Sequence, residues 1–199
     1  MKVFRIPLIV LVLGLVTGQA SGGISISLEP ASTSVAPGDP VDMALKISGL
    51  GDGTAPSIST FDMDVTFDSS ILGYTGASFG DPVLGDQLDL FGFGSIASAT
   101  PSPGSVNLFE LSLDFPSDLD DLQAGAFTLV TLSFDAVSPG TSLLSISPWS
   151  LGDSLGDPLD ATYTGGSVSV VPLPGAFLLT ALGFGSAGWA LKRRSRMDE

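Results

Sequence analysis

The chain contains no cysteine and no histidine among its 199 residues. The first absence excludes disulfide bonds, so an exported domain of this composition is held together by packing, with bound metal as the one further aid. The second removes the commonest general base of enzymes and the commonest protein ligand of transition metals. Any chemistry or metal binding at neutral pH therefore falls mainly to carboxylates.

Positive charge is almost missing from the central part of the chain. Of the seven basic residues only Lys46 lies within residues 21–171, whereas 19 of the 21 acidic residues lie there, which leaves a net charge of −18. A field of this sign repels nucleic acid and favours cationic partners or divalent metal ions. The charge excludes nucleic-acid binding and indicates a soluble, strongly acidic domain.

Helical periodicity longer than one turn is also missing before Pro172. The segment TFDMDVTFD (60–68) instead alternates apolar side chains with aspartate and threonine, which is typical of a β-strand with one buried face. The same reading predicts eight strands, at residues 24–28, 41–47, 60–68, 71–75, 105–113, 127–136, 142–147 and 166–171.

Turn sequences rich in Gly, Pro and Asp separate these strands, as in APGDP (36–40) and LGDSLGDP (151–158). Many short strands without helices predict an all-β domain over residues 21–171, an antiparallel β-sandwich of the jelly-roll type with about nine strands. The register of residues 76–104 is not fixed by the pattern, and LDLFGFGSIA within it reads as one irregular strand or a bulged pair.

One predicted strand, SVNLFELSL (105–113), changes its apolar parity at Leu108 and Phe109. Such a change has two explanations. Either a β-bulge shifts the alternation, or both faces of the strand are covered, as in the middle of a sandwich.

The N-terminus has the three-part pattern of a secretory signal peptide. Two basic residues precede an apolar run over residues 6–16, and the small residues Gly18 and Ala20 follow. The run is about half of the ~20 residues that a membrane span requires. We therefore predict an N-terminal signal helix over residues 1–20, removed by cleavage between Ala20 and Ser21.

A second apolar run covers residues 175–191 and would form a helix of about 25 Å, at the lower limit for crossing a membrane. A basic tail, 192–199, follows it with Lys192, Arg193, Arg194 and Arg196. The positive-inside rule places this tail in the cytoplasm and the acidic domain outside. The pattern predicts a single-pass transmembrane helix before any processing.

The C-terminal residues 172–199, with Val171 before them, resemble the PEP-CTERM sorting signal of bacterial exported proteins. Val171, Pro172, Leu173 and Pro174 form a Val-Pro-x-Pro motif, with Leu173 where the family usually has Glu, and an apolar helix and an Arg-rich end follow. The resemblance implies processing by an exosortase-type transpeptidase. It also implies delivery to the cell surface or its extracellular polysaccharide matrix.

Residues 24–171 resemble the cohesin-like, or carbohydrate-binding-module-like, jelly roll that often accompanies this signal. The similar segments are SVAPGDPVDMALKISGL, STFDMDVTFDSSILGY, DDLQAGAFTLVTLSFDAVSPGTSLLSI and GGSVSVV. For cohesins the resemblance implies a flattened jelly roll of nine strands that binds dockerin modules. It assigns no contact residues to this chain, and a dockerin-like protein or a polysaccharide stays open as the partner.

The best local candidate for a metal site is PSDLDD, in which Asp118, Asp120 and Asp121 are closely spaced. Calcium takes six to eight oxygen ligands, and carboxylates two residues apart in a loop can supply several. The alternative is that aspartate occurs in turns and on wet strand faces for structural reasons. A structural calcium ion is thus a hypothesis, and no other cofactor is expected.

Trp149 is the candidate ligand platform, because it follows Pro148 just after a predicted strand. Carbohydrate-binding faces stack sugars on exposed rings, but they usually need several rings. We therefore favour the other reading, in which Trp149 closes one end of the sandwich with its ring buried.

An enzyme is not expected from this sequence. Glu29 and Glu110 are the only glutamates of the domain, and neither neighbourhood indicates a pocket or a raised pKa. Lys46 is expected to point to solvent among the acidic residues. The sequence as a whole predicts a non-catalytic, exported surface protein, with a binding module as the alternative.

Overall fold

The computed structural model describes residues 23–172, which form two β-sheets, one short helix and the loops between them. In chain order the strands are β1 (Ile24–Glu29), β2 (Ser32–Val35), β3 (Pro40–Ser48), β4 (Ile58–Thr66), β5 (Leu72–Phe79), β6 (Ile96–Ser102), β7 (Ser105–Leu111), β8 (Ala126–Ala136), β9 (Gly140–Asp153), β10 (Ala161–Thr164) and β11 (Gly166–Val170). The helix, α1 (Pro116–Leu122), lies between β7 and β8.

The strand order is β10-β1-β3-β8-β5 in the five-stranded sheet and β2-β11-β9-β4-β7-β6 in the six-stranded sheet. All neighbours are antiparallel except two parallel pairs, β1 with β10 and β2 with β11. The prediction of a purely antiparallel sandwich is therefore wrong in this detail. The reason is that the passages from β1 to β2 and from β10 to β11, two of those by which the chain changes sheet, run side by side in the same direction.

The core lies between the sheets and follows from the period of two. In β4 the side chains of Phe61, Met63 and Val65 are fully buried, whereas Asp62 and Asp64 lie on the outer face. Opposing strands contribute Leu45 and Phe134, among others. Burial of such apolar surface is the main favourable term in folding. All eight strands predicted from the sequence are present, so the prediction of a β-sandwich is confirmed.

Eleven strands are described rather than about nine, because three were not predicted: β2, β6 and β10. Each of these lies at the edge of a sheet. Their residues are mostly exposed or half-buried, as in β6, where Ala99 is half-buried and the other residues are exposed. An edge strand with no covered face has no apolar alternation, so its sequence carries no strand pattern.

The segment 76–104 contains two strands joined by an irregular loop. Strand β5 extends to Phe79, and residues 80–95, called loop 80–95 below, form turns and bends before β6 begins at Ile96. The expectation of an irregular strand or bulged pair over LDLFGFGSIA is therefore wrong for all but its last two residues. The glycine-rich sequence favours turns, and Gly92 and Gly94 both have positive φ.

The prediction that no helix precedes Pro172 is also wrong, because PSDLDDL forms α1. Pro116 lies at the start of the helix, and Leu119 is its one buried residue. With a single buried position, a helix of seven residues shows no 3.6-residue period. The predicted signal helix (1–20) and transmembrane helix (175–191) lie outside the described residues. Within residues 23–172, no helix combines the length and the hydrophobicity needed to cross a membrane.

Candidate binding face and a buried carboxylate

The outer face of the six-stranded sheet carries mainly polar side chains where β9, β4 and β7 lie side by side. Asp62 and Asp64 of β4 point outward, opposite Phe109 and Asn107 of β7. This confirms the predicted orientation of the two aspartates. We call the surface formed by Asp62, Asp64, Asn107 and Trp149 the Trp149 face.

Trp149 projects from this face at an irregularity in β9. Asp62 pairs with Ser150 and Met63 with Pro148, so Trp149 is the extra residue of a β-bulge. A bulge redirects a side chain away from the regular alternation. The side chain is 72% exposed. The expectation that its ring is buried at the end of the sandwich is therefore wrong.

Hydrogen bonds hold the Trp149 face in one arrangement. The indole Nε1 of Trp149 donates to Oδ2 of Asp64 over 3.0 Å. Nδ2 of Asn107 donates to Oδ1 of Asp62 over 2.8 Å and to Oδ1 of Asp64 over 3.0 Å. The ring is thus exposed but oriented, a combination that reduces the entropy lost when a partner binds.

The predicted calcium segment, PSDLDD, forms all of α1 except its last residue and is therefore helical rather than a loop. Oδ1 of Asp120 accepts a hydrogen bond of 2.6 Å from Ser57 Oγ, which ties the helix to the start of β4. Asp118 lies in the first turn, where an acidic side chain is favourable. Throughout the described part of the chain, no group of three or more acidic side chains could hold a metal ion. The geometric basis for calcium at Asp118, Asp120 and Asp121 is therefore absent.

Glu110 departs most from what its sequence neighbourhood indicates. It lies on β7 facing inward, its relative exposure is 0%, and burial raises the pKa of its carboxyl to about 8. The negative charges of Asp86 and Asp89 raise that pKa further, whereas a hydrogen bond from Ser95 opposes the change. The change of apolar parity at Leu108 and Phe109 is the one indication of this burial in the sequence. No β-bulge lies there, so β7 keeps its alternation and Glu110 takes the next core-facing position after Leu108.

Buried polar side chains surround Glu110 at one end of the sandwich. Here β4 and β8 begin, β7 ends, and loop 80–95 packs beside α1; we call this region the polar end. Its buried polar residues are Ser57, Ser59, Gln87, Glu110, Ser112, Gln123 and Thr128. Gln123 forms three hydrogen bonds there, with Ile58 N, Ile58 O and Gln87 O.

Lys46 lies on the outer face of the five-stranded sheet, as predicted. Its Nζ is 2.7 Å from Oε2 of Glu29, and both side chains are about half exposed (43% and 50%). This hydrogen-bonded pairing with Glu29 raises the pKa of Lys46. Exposed ion pairs of this kind contribute little to stability. The pocket beside the pair is also lined by Ser27, Ser48 and Asp81, and the negative charge of Asp81 raises the pKa of Lys46 as well.

Comparison with known proteins places the fold but not the family. No family model matches the chain, and no curated protein matches it. Among solved structures, the sixth cohesin of scaffoldin B from Acetivibrio cellulolyticus, in complex with a Cel5 dockerin mutant, has 24% identity and a TM-score of 0.58 over 75% of this chain and all of that one.

Two further structures have the same fold. A type I cohesin–dockerin complex from Clostridium thermocellum, Coh-OlpC–Doc435, has 15% identity and a TM-score of 0.59, covering 76% of this chain and 95% of that one. A non-cellulosomal cohesin from Archaeoglobus fulgidus has 11% identity and a TM-score of 0.57, covering 78% and 96%. The domain is therefore a cohesin-like β-sandwich.

Proposed function

We propose that this chain is a non-catalytic, exported protein whose β-sandwich binds a protein partner through the Trp149 face. The observation that carries the proposal is Trp149 itself, which is 72% exposed and yet held by a hydrogen bond to Asp64. Exposed tryptophans are costly to leave in water and are enriched at the energetic centres of protein interfaces.

The chemistry of the face favours a protein over a glycan. A glycan-binding platform stacks sugars on several exposed rings, whereas this face offers one largely exposed ring, that of Trp149, among aspartate, asparagine and serine side chains. The carboxylates of Asp62 and Asp64 favour a partner with positive charge around an apolar pocket. Similar structures include cohesins in complex with dockerins, which supports a dockerin-type module as that partner.

The proposal is tested by titrating the full-length chain against a panel of dockerin modules in a calorimeter. For a module that binds, Trp149→Ala is expected to weaken binding about 30-fold or more, because a central tryptophan contributes at least ~2 kcal/mol. Phe93→Ala is the matched control, since Phe93 is 70% exposed but lies on loop 80–95.

Two outcomes would count against a protein-binding face. Binding that survives Trp149→Ala unchanged would move the interface elsewhere on the domain. Loss of binding to a polysaccharide in the same variant, with no dockerin bound, would support the alternative of a glycan-binding module in the exopolysaccharide matrix.

The route to the surface is part of the proposal. A signal peptide over residues 1–20 exports the chain, the helix over 175–191 holds it briefly in the membrane, and an exosortase-type enzyme cuts near Val171–Pro174. The described part of this junction supports access, because β11 ends at Val170, and Val171 and Pro172 follow it as exposed, non-strand residues. After processing, the acidic domain belongs to the cell surface or matrix.

The sorting step is tested by the intact mass of the protein recovered from the surface or medium. Cleavage at both predicted ends is expected to leave a species close to residues 21–171. A variant that lacks residues 172–199 is expected to appear in the medium without attachment. Recovery of the full-length chain from membranes alone would replace sorting with simple anchoring.

A further inference from the structure

Glu110 occupies a position where the fold calls for an apolar residue. On β7 it continues the inward series of Val106 and Leu108, and it pairs with Phe61 of β4 and Ala97 of β6. A carboxylate without a counter-charge at a fully buried position is strongly destabilising. In the folded protein, either a proton or a bound ligand must therefore neutralise this carboxylate.

The protein itself supplies only part of that compensation. Oε1 of Glu110 accepts a hydrogen bond of 2.6 Å from Ser95 Oγ, but Oε2 is buried and has no hydrogen-bond donor among the described residues. The Asp86 carboxyl raises the pKa of Glu110 through its negative charge and a side-chain hydrogen bond, and the negative charge of Asp89 raises that pKa as well. Lys46, the one cation of the described chain, is paired with Glu29.

Loop 80–95 holds its carboxylates in place around Glu110. Oδ1 of Asp86 accepts from Leu88 N and Oδ1 of Asp89 from Gly94 N, each over 2.9 Å. Asp114, in the connection to α1, accepts from Leu90 N through Oδ2, and its Oδ1 is a second buried oxygen without a partner in the described residues. The loop is thus fastened by one oxygen of each aspartate, which leaves the other oxygens for a different ligand.

We propose that Oε2 of Glu110 and the Asp86 carboxylate bind a divalent cation of the calcium class beneath loop 80–95. Calcium prefers oxygen ligands and takes six to eight of them, so backbone carbonyls of the loop and water complete the shell. No group of three acidic side chains within residues 23–172 could hold a metal ion, so the proposed site relies on two carboxylates. Asp89 adds negative potential, and a bound cation neutralises the close pair.

The site differs from the one predicted at Asp118, Asp120 and Asp121, and this difference allows a direct test. The full-length chain is freed of metal with chelator and titrated with CaCl2 at physiological ionic strength, by calorimetry and by thermal melting. Wild type is expected to bind one ion and to melt about 5 °C higher in millimolar calcium.

Glu110→Gln, which keeps the shape of the side chain, is expected to abolish both the binding heat and the melting shift. Asp86→Asn serves as a second variant on the surface loop and is expected to weaken calcium binding at least tenfold. Asp118→Asn is the matched control, because it removes the same charge from α1 and is expected to retain the full response.

Three results would overturn the proposal. The first is a wild-type chain with no calcium-dependent heat or melting shift, in which case a shared proton neutralises the pair. The second is an equal loss in Asp118→Asn and Glu110→Gln, which would mean diffuse binding to the acidic surface. The third is an undiminished response in both Glu110→Gln and Asp86→Asn.

Discussion

The middle of the sandwich and its polar end are built on different principles. In the middle, the facing side chains of both sheets are apolar and fully buried, as for Met43, Met63 and Phe134. At the polar end, glutamate, glutamine, serine and threonine are buried at comparable depth. The difference shows that alternation specifies the centre of this fold, whereas hydrogen bonds between side chains and backbone specify how its end is closed.

The physical reason lies in where the strands stop. Between paired strands the sheet ladders satisfy the backbone N–H and C=O groups, so the inner side chains are free to be apolar. Beyond the last ladder bond, buried backbone groups need other partners. Gln123 provides them for both polar backbone groups of Ile58, the first residue of β4.

The largest predicted effect is in the apolar middle. Phe134→Ala removes a fully buried ring that contacts Phe67 and Tyr74 edge-on, with ring centroids 5.1 Å and 6.0 Å away. We expect a loss of about 3–5 kcal/mol in the free energy of unfolding, because the variant loses the hydrophobic transfer energy of the ring and leaves a cavity in its place. Equilibrium unfolding in urea measures it.

Leu143→Ala is the matched control for the middle, since Leu143 is 71% exposed on β9. It should change the free energy of unfolding by no more than about 0.5 kcal/mol. A Phe134→Ala variant that lost under 1.5 kcal/mol would show that the centre is loosely packed, and the contrast between the two regions would fail.

A smaller loss is predicted at the polar end. Gln123→Ala leaves Ile58 N, Ile58 O and Gln87 O without their side-chain partner, and the residue is only 2% exposed. We expect about 2–4 kcal/mol, because each buried group left unpaired costs about 1–3 kcal/mol and water recovers part of it. Urea unfolding again measures the change.

Leu122→Ala controls for the end of α1, because the neighbouring Leu122 is 56% exposed. If the free energy of unfolding of Gln123→Ala lay within about 0.5 kcal/mol of this control, the difference would be no larger than that of an ordinary surface substitution. Water would then replace all the hydrogen bonds of the glutamine. The polar end would then be an open, hydrated region rather than a specified one.

The sequence predicts the fold well where one face of a strand is buried and poorly elsewhere. All eight strands with apolar alternation were found, because the period of two follows directly from burial on one side. Strands β2, β6 and β10 were missed because they are sheet edges, and α1 because Leu119 is its only buried residue. The two parallel pairs join strands that are far apart in the chain, β1 with β10 and β2 with β11, and no local pattern encodes such pairing.

The candidate sites were predictable only in part. Asp62 and Asp64 were placed on the correct face by alternation, but the exposure of Trp149 depends on a β-bulge that sets β9 against β4. Glu110 occupies a core-facing position of β7. Its full burial depends on loop 80–95, which covers it. Sequence neighbours could not show this, because Asp86 and Asp89 approach from another part of the chain.

The smallest predicted effect concerns Asp81, which fastens loop 80–95 to β8 at the polar end. Burial alone would raise the pKa of Asp81, but hydrogen bonds from the backbone N–H groups of Leu84, Thr128 and Val83 hold it at about 2, below the ordinary 3.8. A depressed pKa stabilises the folded state above pH 4, and this contribution is lost as the pH falls from about 5 toward 2. Because the side chain is partly exposed, we expect at most about 1 kcal/mol.

Asp81→Asn should therefore lower stability slightly at pH 7 and flatten the dependence of the melting temperature on pH between about 5 and 2. Asp160→Asn, a change at an exposed residue between β9 and β10, is the control for the loss of one negative charge. If both variants followed the wild-type pH profile, the hydrogen bonds to Asp81 would not stabilise the loop. If Asp81→Asn instead lost as much stability as Gln123→Ala, the attachment of loop 80–95 would contribute as much to the free energy of unfolding as the buried glutamine does. Closure of the polar end would then depend on a partly exposed carboxylate.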